Sequence, residues 1–160
     1  MDQREIWKIL DTVMDPEIPV VSLVELGVIR EVEVDETSRS VRISLTPTFS
    51  ACPAFQQMQV DIEDRLRQAG VERIELVVKL APPWSSDWIS PEARQKLKAF
   101  GLAPAPLHGG ILSPGLLDVI ACPFCDSTDT VMKNSFGPTL CRAIFYCNQC
   151  QQPFEQFKPL

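Results

Sequence analysis

Apolar side chains recur at helical spacing near the start of the chain. Ile6, Ile9, Leu10 and Val13 form one stripe, which predicts an amphipathic helix over residues 3–14. Asp15-Pro16-Glu17-Ile18-Pro19 ends it, because proline disfavours a helical residue before it. After Gly27 the period changes to two. Val28, Arg30, Val32 and Val34 alternate with Ile29, Glu31 and Glu33, the pattern of a strand. A polar hairpin loop over 35–40 leads to a returning strand over 41–45.

A loop over 46–51 precedes a second helix starting near Pro53. Its stripe is Phe55, Met58, Ile62, Leu66 and Ala69, and Gly70 stands where a C-terminal stop belongs. A third strand is expected over about 73–80, followed by an irregular run that holds Trp84 and Trp88. Ser90 caps a short helix with Pro91 in its first turn, ending at Gly101. The order α-β-β-α-β-α makes residues 1–102 an α+β domain, a small α/β sandwich. Residues 103–118, with three prolines and three glycines, read as a linker, and 119–160 as a separate cysteine module.

Charge narrows the partners. Residues 1–102 carry 12 basic and 17 acidic side chains, and 119–160 carry three of each. Neither part offers the Lys and Arg excess that neutralises phosphates, so nucleic acid is disfavoured. No run of about twenty apolar residues is present, and the polar, acidic start lacks a secretory pattern. No membrane partner and a cytoplasmic location are expected. Six cysteines in a reducing compartment point to metal binding or thiol chemistry rather than disulfides.

Four of the six form the pattern Cys122-Pro-Phe-Cys125, twenty-one residues, Cys147-Asn-Gln-Cys150. Two C-x-x-C pairs at this separation make two knuckles whose four thiolates can surround one ion tetrahedrally. Zinc in a structural four-cysteine ribbon suits the pattern; so does iron or a transient iron–sulfur cluster, and a redox dithiol is a third reading. Binding would supply folding free energy that about forty residues cannot obtain from a core. Cys141, between the pairs, is either an additional functional thiol or a buried cysteine.

Cys52 directly precedes Pro53. At a helix N-cap it would face unpaired backbone N–H groups that favour a thiolate. Asp15 and Glu17 place two carboxylates in a rigid turn, either to hold a metal, orient a thiol or grip a partner, or simply as solvated turn residues. Trp84 and Trp88 read either as a contact surface or as core. His108, the only histidine, reads as solvated, which removes any metal site needing two histidines and leaves Cys52 without a histidine base.

Together these motifs are recognisable. Asp15-Pro16-Glu17, Leu23, Leu26-Gly27-Val28, Thr46-Pro47-Thr48 and Cys52-Pro53 resemble the SufT-like domain family, which serves iron–sulfur cluster assembly. The resemblance implies a functional thiol at Cys52 and a functional acidic turn at Asp15 and Glu17. The run Pro82-Pro83-Trp84-Ser85-Ser86-Asp87-Trp88-Ile89, with Cys122-Pro-Phe-Cys125 and Thr139-Leu140-Cys141-Arg142-Ala143, is similar to the PaaD-like accessory proteins of the bacterial 1,2-phenylacetyl-CoA epoxidase system. That resemblance implies a non-catalytic maturation factor of a multicomponent monooxygenase in aerobic phenylacetate degradation, assisting assembly of a metal or iron–sulfur centre. Its partners would be epoxidase subunits, the di-iron oxygenase or the iron–sulfur reductase, with a homodimer left open. The alternative is a structural or electron-transfer subunit of the same complex.

Overall fold

The computed structural model describes residues 1–160, save the side chain of Leu117. The chain divides into two compact units, Met1–Trp84 and Ser85–Leu160.

In the first unit, α1 (Gln3–Leu10) begins at Asp2, whose carboxylate accepts the Glu5 N–H at 2.8 Å while the Glu5 carboxylate accepts the Asp2 N–H at 2.8 Å. This reciprocal cap satisfies two of the donors that a helix start leaves open. The helix stops one turn earlier than the stripe suggests. Val13 and Asp15 pair back onto Val21 and Leu23 (Leu23 N–H to Val13 O, 2.9 Å; Asp15 N–H to Val21 O, 3.0 Å). Val13 is still buried, but from this extended segment rather than from the helix.

Strands β1 (Ile29–Asp35) and β2 (Ser40–Leu45) form an antiparallel hairpin. Asp35 closes its loop by accepting N–H groups of Thr37 and Ser38. Helix α2 (Phe55–Gln68) carries the chain across to β3 (Arg73–Val78), which lies parallel to β2 in a sheet of order β1-β2-β3. A parallel neighbour requires such a crossover. Ile6 and Leu10 of α1, Ile62 and Leu66 of α2, and Ile43 and Leu45 of β2 are fully buried between helices and sheet.

In the second unit, Ser90 caps α3 (Pro91–Ala99) by accepting the Ala93 N–H at 3.0 Å. Strands β4 (Leu102–Ala103), β5 (Thr130–Asn134), β6 (Arg142–Cys147) and β7 (Pro153–Phe157) form a sheet of order β4-β7-β6-β5. The expected linker therefore begins inside this sheet: Leu102 and Ala103 pair in parallel with Glu155 and Gln156. Phe145 and Phe154 stack with ring centroids 5.7 Å apart in a core with Ile120, Ala143 and the sulfur ends of Cys122 and Cys147. Among the described residues, no helix is long and apolar enough to cross a membrane.

Candidate metal centre and the Cys52 turn

The two knuckles repeat one local geometry. In each, the residue after the second cysteine takes a left-handed backbone, Asp126 at φ 62° and Gln151 at φ 58°. Each of these donates its N–H to the carbonyl of the first cysteine, Asp126 to Cys122 at 3.0 Å and Gln151 to Cys147 at 2.9 Å. The first cysteine in turn donates its own N–H five residues onward, Cys122 to Ser127 and Cys147 to Gln152. Each chain reversal turns its pair of sulfurs to one side. Asn148 ties the knuckles together, donating its backbone N–H to Asp129 O at 2.9 Å and its side-chain amide to Asp129 Oδ1 at 2.8 Å.

The four Sγ atoms lie within 4.8 Å of one another, with Cys122–Cys150 at 3.7 Å and Cys125–Cys147 at 3.6 Å. A tetrahedral ion with metal–sulfur bonds of about 2.3 Å sets sulfurs about 3.8 Å apart. The sulfurs thus stand at the spacing of ligands around one ion, and no disulfide is present among them. Cys122 and Cys147 are buried, Cys150 is half-buried, and Cys125 is exposed at the rim. Their acidities diverge. The backbone N–H of Cys150 draws the Cys147 thiol down to about 7, whereas burial, followed by the neighbouring thiols, pushes Cys150 up to about 12. Four sulfurs this close cannot all be thiolates without a cation among them. The donor set fits a metal with four soft ligands and leaves no coordination position open.

Cys52 sits differently from expectation. The N-cap of α2 is Ala54, which offers no side-chain cap. Cys52 lies two residues earlier in a turn, donating its N–H to Phe49 O at 3.0 Å and accepting the Phe55 N–H on its own carbonyl at 3.2 Å. Pro53 opens this tight turn instead of the helix. Cys52, which is half-buried, is therefore not the cap residue of α2.

Asp15 is 5% exposed, not solvated. Its Oδ1 accepts the N–H groups of Glu17 and Ile18, each at 2.8 Å, and so builds the turn. Glu17 is half-buried. Asp15→Ala is expected to cost about 1–3 kcal/mol by leaving these two N–H groups unmet, and Asp15→Asn, which keeps the acceptor, less than half of that. Urea unfolding of the two variants checks this.

Among the described residues, only the ribbon quartet brings three or more Cys, His, Asp or Glu ligand atoms this close. Cys141 lies outside it, with Sγ 3.2 Å from Thr139 Oγ1. Trp84 is core, and its indole N–H donates to Leu26 O at 2.9 Å.

His108 is a correction: its side chain is 3% exposed. Nδ1 accepts the Gly110 N–H at 3.1 Å, so Nε2 carries the proton and donates to Leu160 O at 3.1 Å. Ser85 and Ser86 hydroxyls and Asp87 Oδ1 all approach that same Nε2, at 3.4, 3.4 and 3.6 Å. A nucleophile–histidine–carboxylate relay needs the serine and the acid on opposite nitrogens. This cluster is structural.

Sequence pattern did not disclose the support that α3 gives the first knuckle. Lys98 pairs with Asp126, and Gly101, at φ 88°, lies so close to Phe124 that a Cβ there would meet the ring at 3.1 Å. The available signal was Gly101 itself, read only as a helix stop.

Comparison with known proteins matches the same two parts. Residues 3–76 match the family model described as iron–sulfur cluster assembly protein, and residues 114–158 that of the PaaD zinc beta ribbon domain. A putative 1,2-phenylacetyl-CoA epoxidase subunit of Escherichia coli K12 is 35% identical over 155 residues, covering 97% of this chain and 92% of that protein. An Fe-S protein maturation auxiliary factor of Porphyromonas gingivalis is 32% identical over 96 residues, 59% of this chain and 90% of that one. Among solved structures, the domain of unknown function DUF59 from Bacillus anthracis shares 32% identity at a TM-score of 0.55, covering 59% of this chain and 90% of its own.

Proposed function

This chain belongs to the PaaD family of 1,2-phenylacetyl-CoA epoxidase subunits, and we propose that it is an accessory factor that helps assemble a metal or iron–sulfur centre in the epoxidase complex. One observation carries the reading: a single chain joins an iron–sulfur cluster assembly domain to a closed four-sulfur ribbon, and its likeness to the Escherichia coli epoxidase protein runs through both. Residues 3–76 carry the match to the iron–sulfur cluster assembly model, which supports placing the assembly role in the first unit.

The ribbon would hold zinc through Cys122, Cys125, Cys147 and Cys150. That ion supplies folding free energy to the unit. With its four ligands in place, the ribbon has no position for cargo. The cargo, iron or a cluster, would instead be met by Cys52 in the first unit, with Asp15 holding the acidic turn and Glu17 offering a carboxylate. Cys141 is a second thiol, outside the ribbon quartet. The clients would be the di-iron oxygenase or the iron–sulfur reductase of a cytoplasmic complex.

Cys52→Ser is expected to fold with an unchanged melting temperature, yet to restore less than about a tenth of epoxidase activity in a strain lacking the native gene. Full restoration would overturn the assignment of Cys52. The second reading, a standing component of the complex, is favoured by the name of the Escherichia coli relative, which counts it among the epoxidase subunits. It requires copurification at fixed stoichiometry and loss of turnover when this chain is left out of a mixture of already matured subunits.

A further inference from the structure

Strand β3 is an edge of its sheet, and the run that contains it has an unusual internal symmetry. Read forward, residues 74–80 are Ile-Glu-Leu-Val-Val-Lys-Leu; read backward, they are Leu-Lys-Val-Val-Leu-Glu-Ile. Apolar faces apolar and acid faces base at every step about Val77. Lys79 donates its N–H inward to Leu45 O at 2.7 Å, so the alternation of the strand turns the backbone groups of Ile74, Leu76 and Val78 outward. Among the described residues no hydrogen bond reaches those groups. Val78 and Leu80 are 45% and 64% exposed. The opposite edge is treated otherwise: Gln3 donates its side-chain amide to Val32 O of β1 at 2.6 Å. An open edge with exposed apolar side chains is a template for strand addition.

We propose that two copies of this chain pair through β3, antiparallel about a two-fold axis at Val77, to make one six-stranded sheet. In this register Leu76 faces Val78 of the second copy and Ile74 faces its Leu80. The backbone groups that point outward are the ones that bond, and Val77 meets Val77 as a pair without hydrogen bonds. Charge supports the same register. Within a chain Arg42 bridges Glu33 at 3.6 Å and Glu75 at 2.9 Å, and Lys79 pairs with Glu31. Setting Glu75 beside Lys79 of the second copy joins these pairs into one alternating row across both sheets. A register centred on Ile74 would pair Arg73 with Glu75 but would leave Val78 and Leu80 uncovered.

Sedimentation equilibrium of the full chain is expected to show a dimer at micromolar concentration. V78D places a charge at a position that tolerates one in the monomer, and is expected to weaken the dimer about 100-fold, with a melting temperature unchanged when both chains are measured at concentrations too low to dimerise. V77C is expected to form an intermolecular disulfide between the introduced thiols, located by peptide mass mapping. The Cα separation of about 4.5 Å in such a pair lies within the disulfide range of about 4.4–6.8 Å. I74C is not expected to cross-link. A monomer at all concentrations, an undiminished V78D dimer, or cross-linking of I74C but not V77C would overturn the proposal.

Discussion

Cys147→Ser is expected to abolish metal retention and melt the second unit. Cys147 is fully buried at the end of β6, where its sulfur belongs both to the four-sulfur cluster and to the small core with Phe145 and Phe154. Its Sγ lies 3.6 Å from Cys125 and accepts the Cys150 N–H at 3.5 Å. A serine oxygen is shorter, harder and hardly ionised at neutral pH, so it is a poor fourth ligand. Structural zinc supplies about 10–16 kcal/mol of apparent free energy to modules of this kind, and the loss of one ligand removes most of it. The apolar cluster around the sulfurs is small, built on Ala103, Ile120, Ala143, Phe145 and Phe154, and loses the cross-link that closes it. Elemental analysis is expected to find about one zinc in the unmodified chain and next to none in the variant. Near-ultraviolet circular dichroism should lose its tertiary signal, and an excess of strong chelator should produce the same loss in the unmodified chain. Cys141→Ser, outside the quartet, should keep its metal. Stoichiometric zinc and an intact signal in Cys147→Ser would sink the four-thiolate reading.

Trp84→Ala is expected to destabilise the first unit by about 3–5 kcal/mol. The indole is 4% exposed, and its removal combines a cavity with a polar loss. Its N–H meets the carbonyl of Leu26, beside Gly27, whose φ of 71° sets the turn into β1. Trp84→Phe keeps a six-membered ring but loses the donor and the pyrrole part of the indole, so it should cost less, about 1–3 kcal/mol. Urea titrations followed by far-ultraviolet circular dichroism separate the two. Equal costs for both variants would mean that the hydrogen bond, not the packing, dominates. No measurable cost in Trp84→Ala would show that the ring is not a core element.

The parts of the molecule that follow from short-range pattern were legible. The stripe Met58-Ile62-Leu66 became the buried face of α2, and the alternation around Val32 became β1, because both depend on the period of the element alone. The cysteine spacing carried the knuckles for a similar reason: a C-x-x-C turn is closed by its own backbone bonds. The reading of Cys52 as an N-cap failed by two residues. Pro53 is equally at home at the first position of a helix and at a turn, and only the Phe55–Cys52 bond distinguishes them. His108 was read as solvated, and Asp15 left open between a functional and a solvated turn residue, because nothing within a few residues of either shows what covers it.

By itself, then, the sequence determined the element order, the four ribbon cysteines and the family resemblance, all of them properties of local spacing or of residues read in order. Tertiary structure decided where the chain divides, that Leu102 and Ala103 close the ribbon sheet beside β7, that Asp15 builds its turn from within, and that β3 keeps an open edge. Each of these depends on partners remote in the chain or on what stays uncovered after folding. Burial and strand pairing are properties of the assembled surface, and no window along the chain contains them.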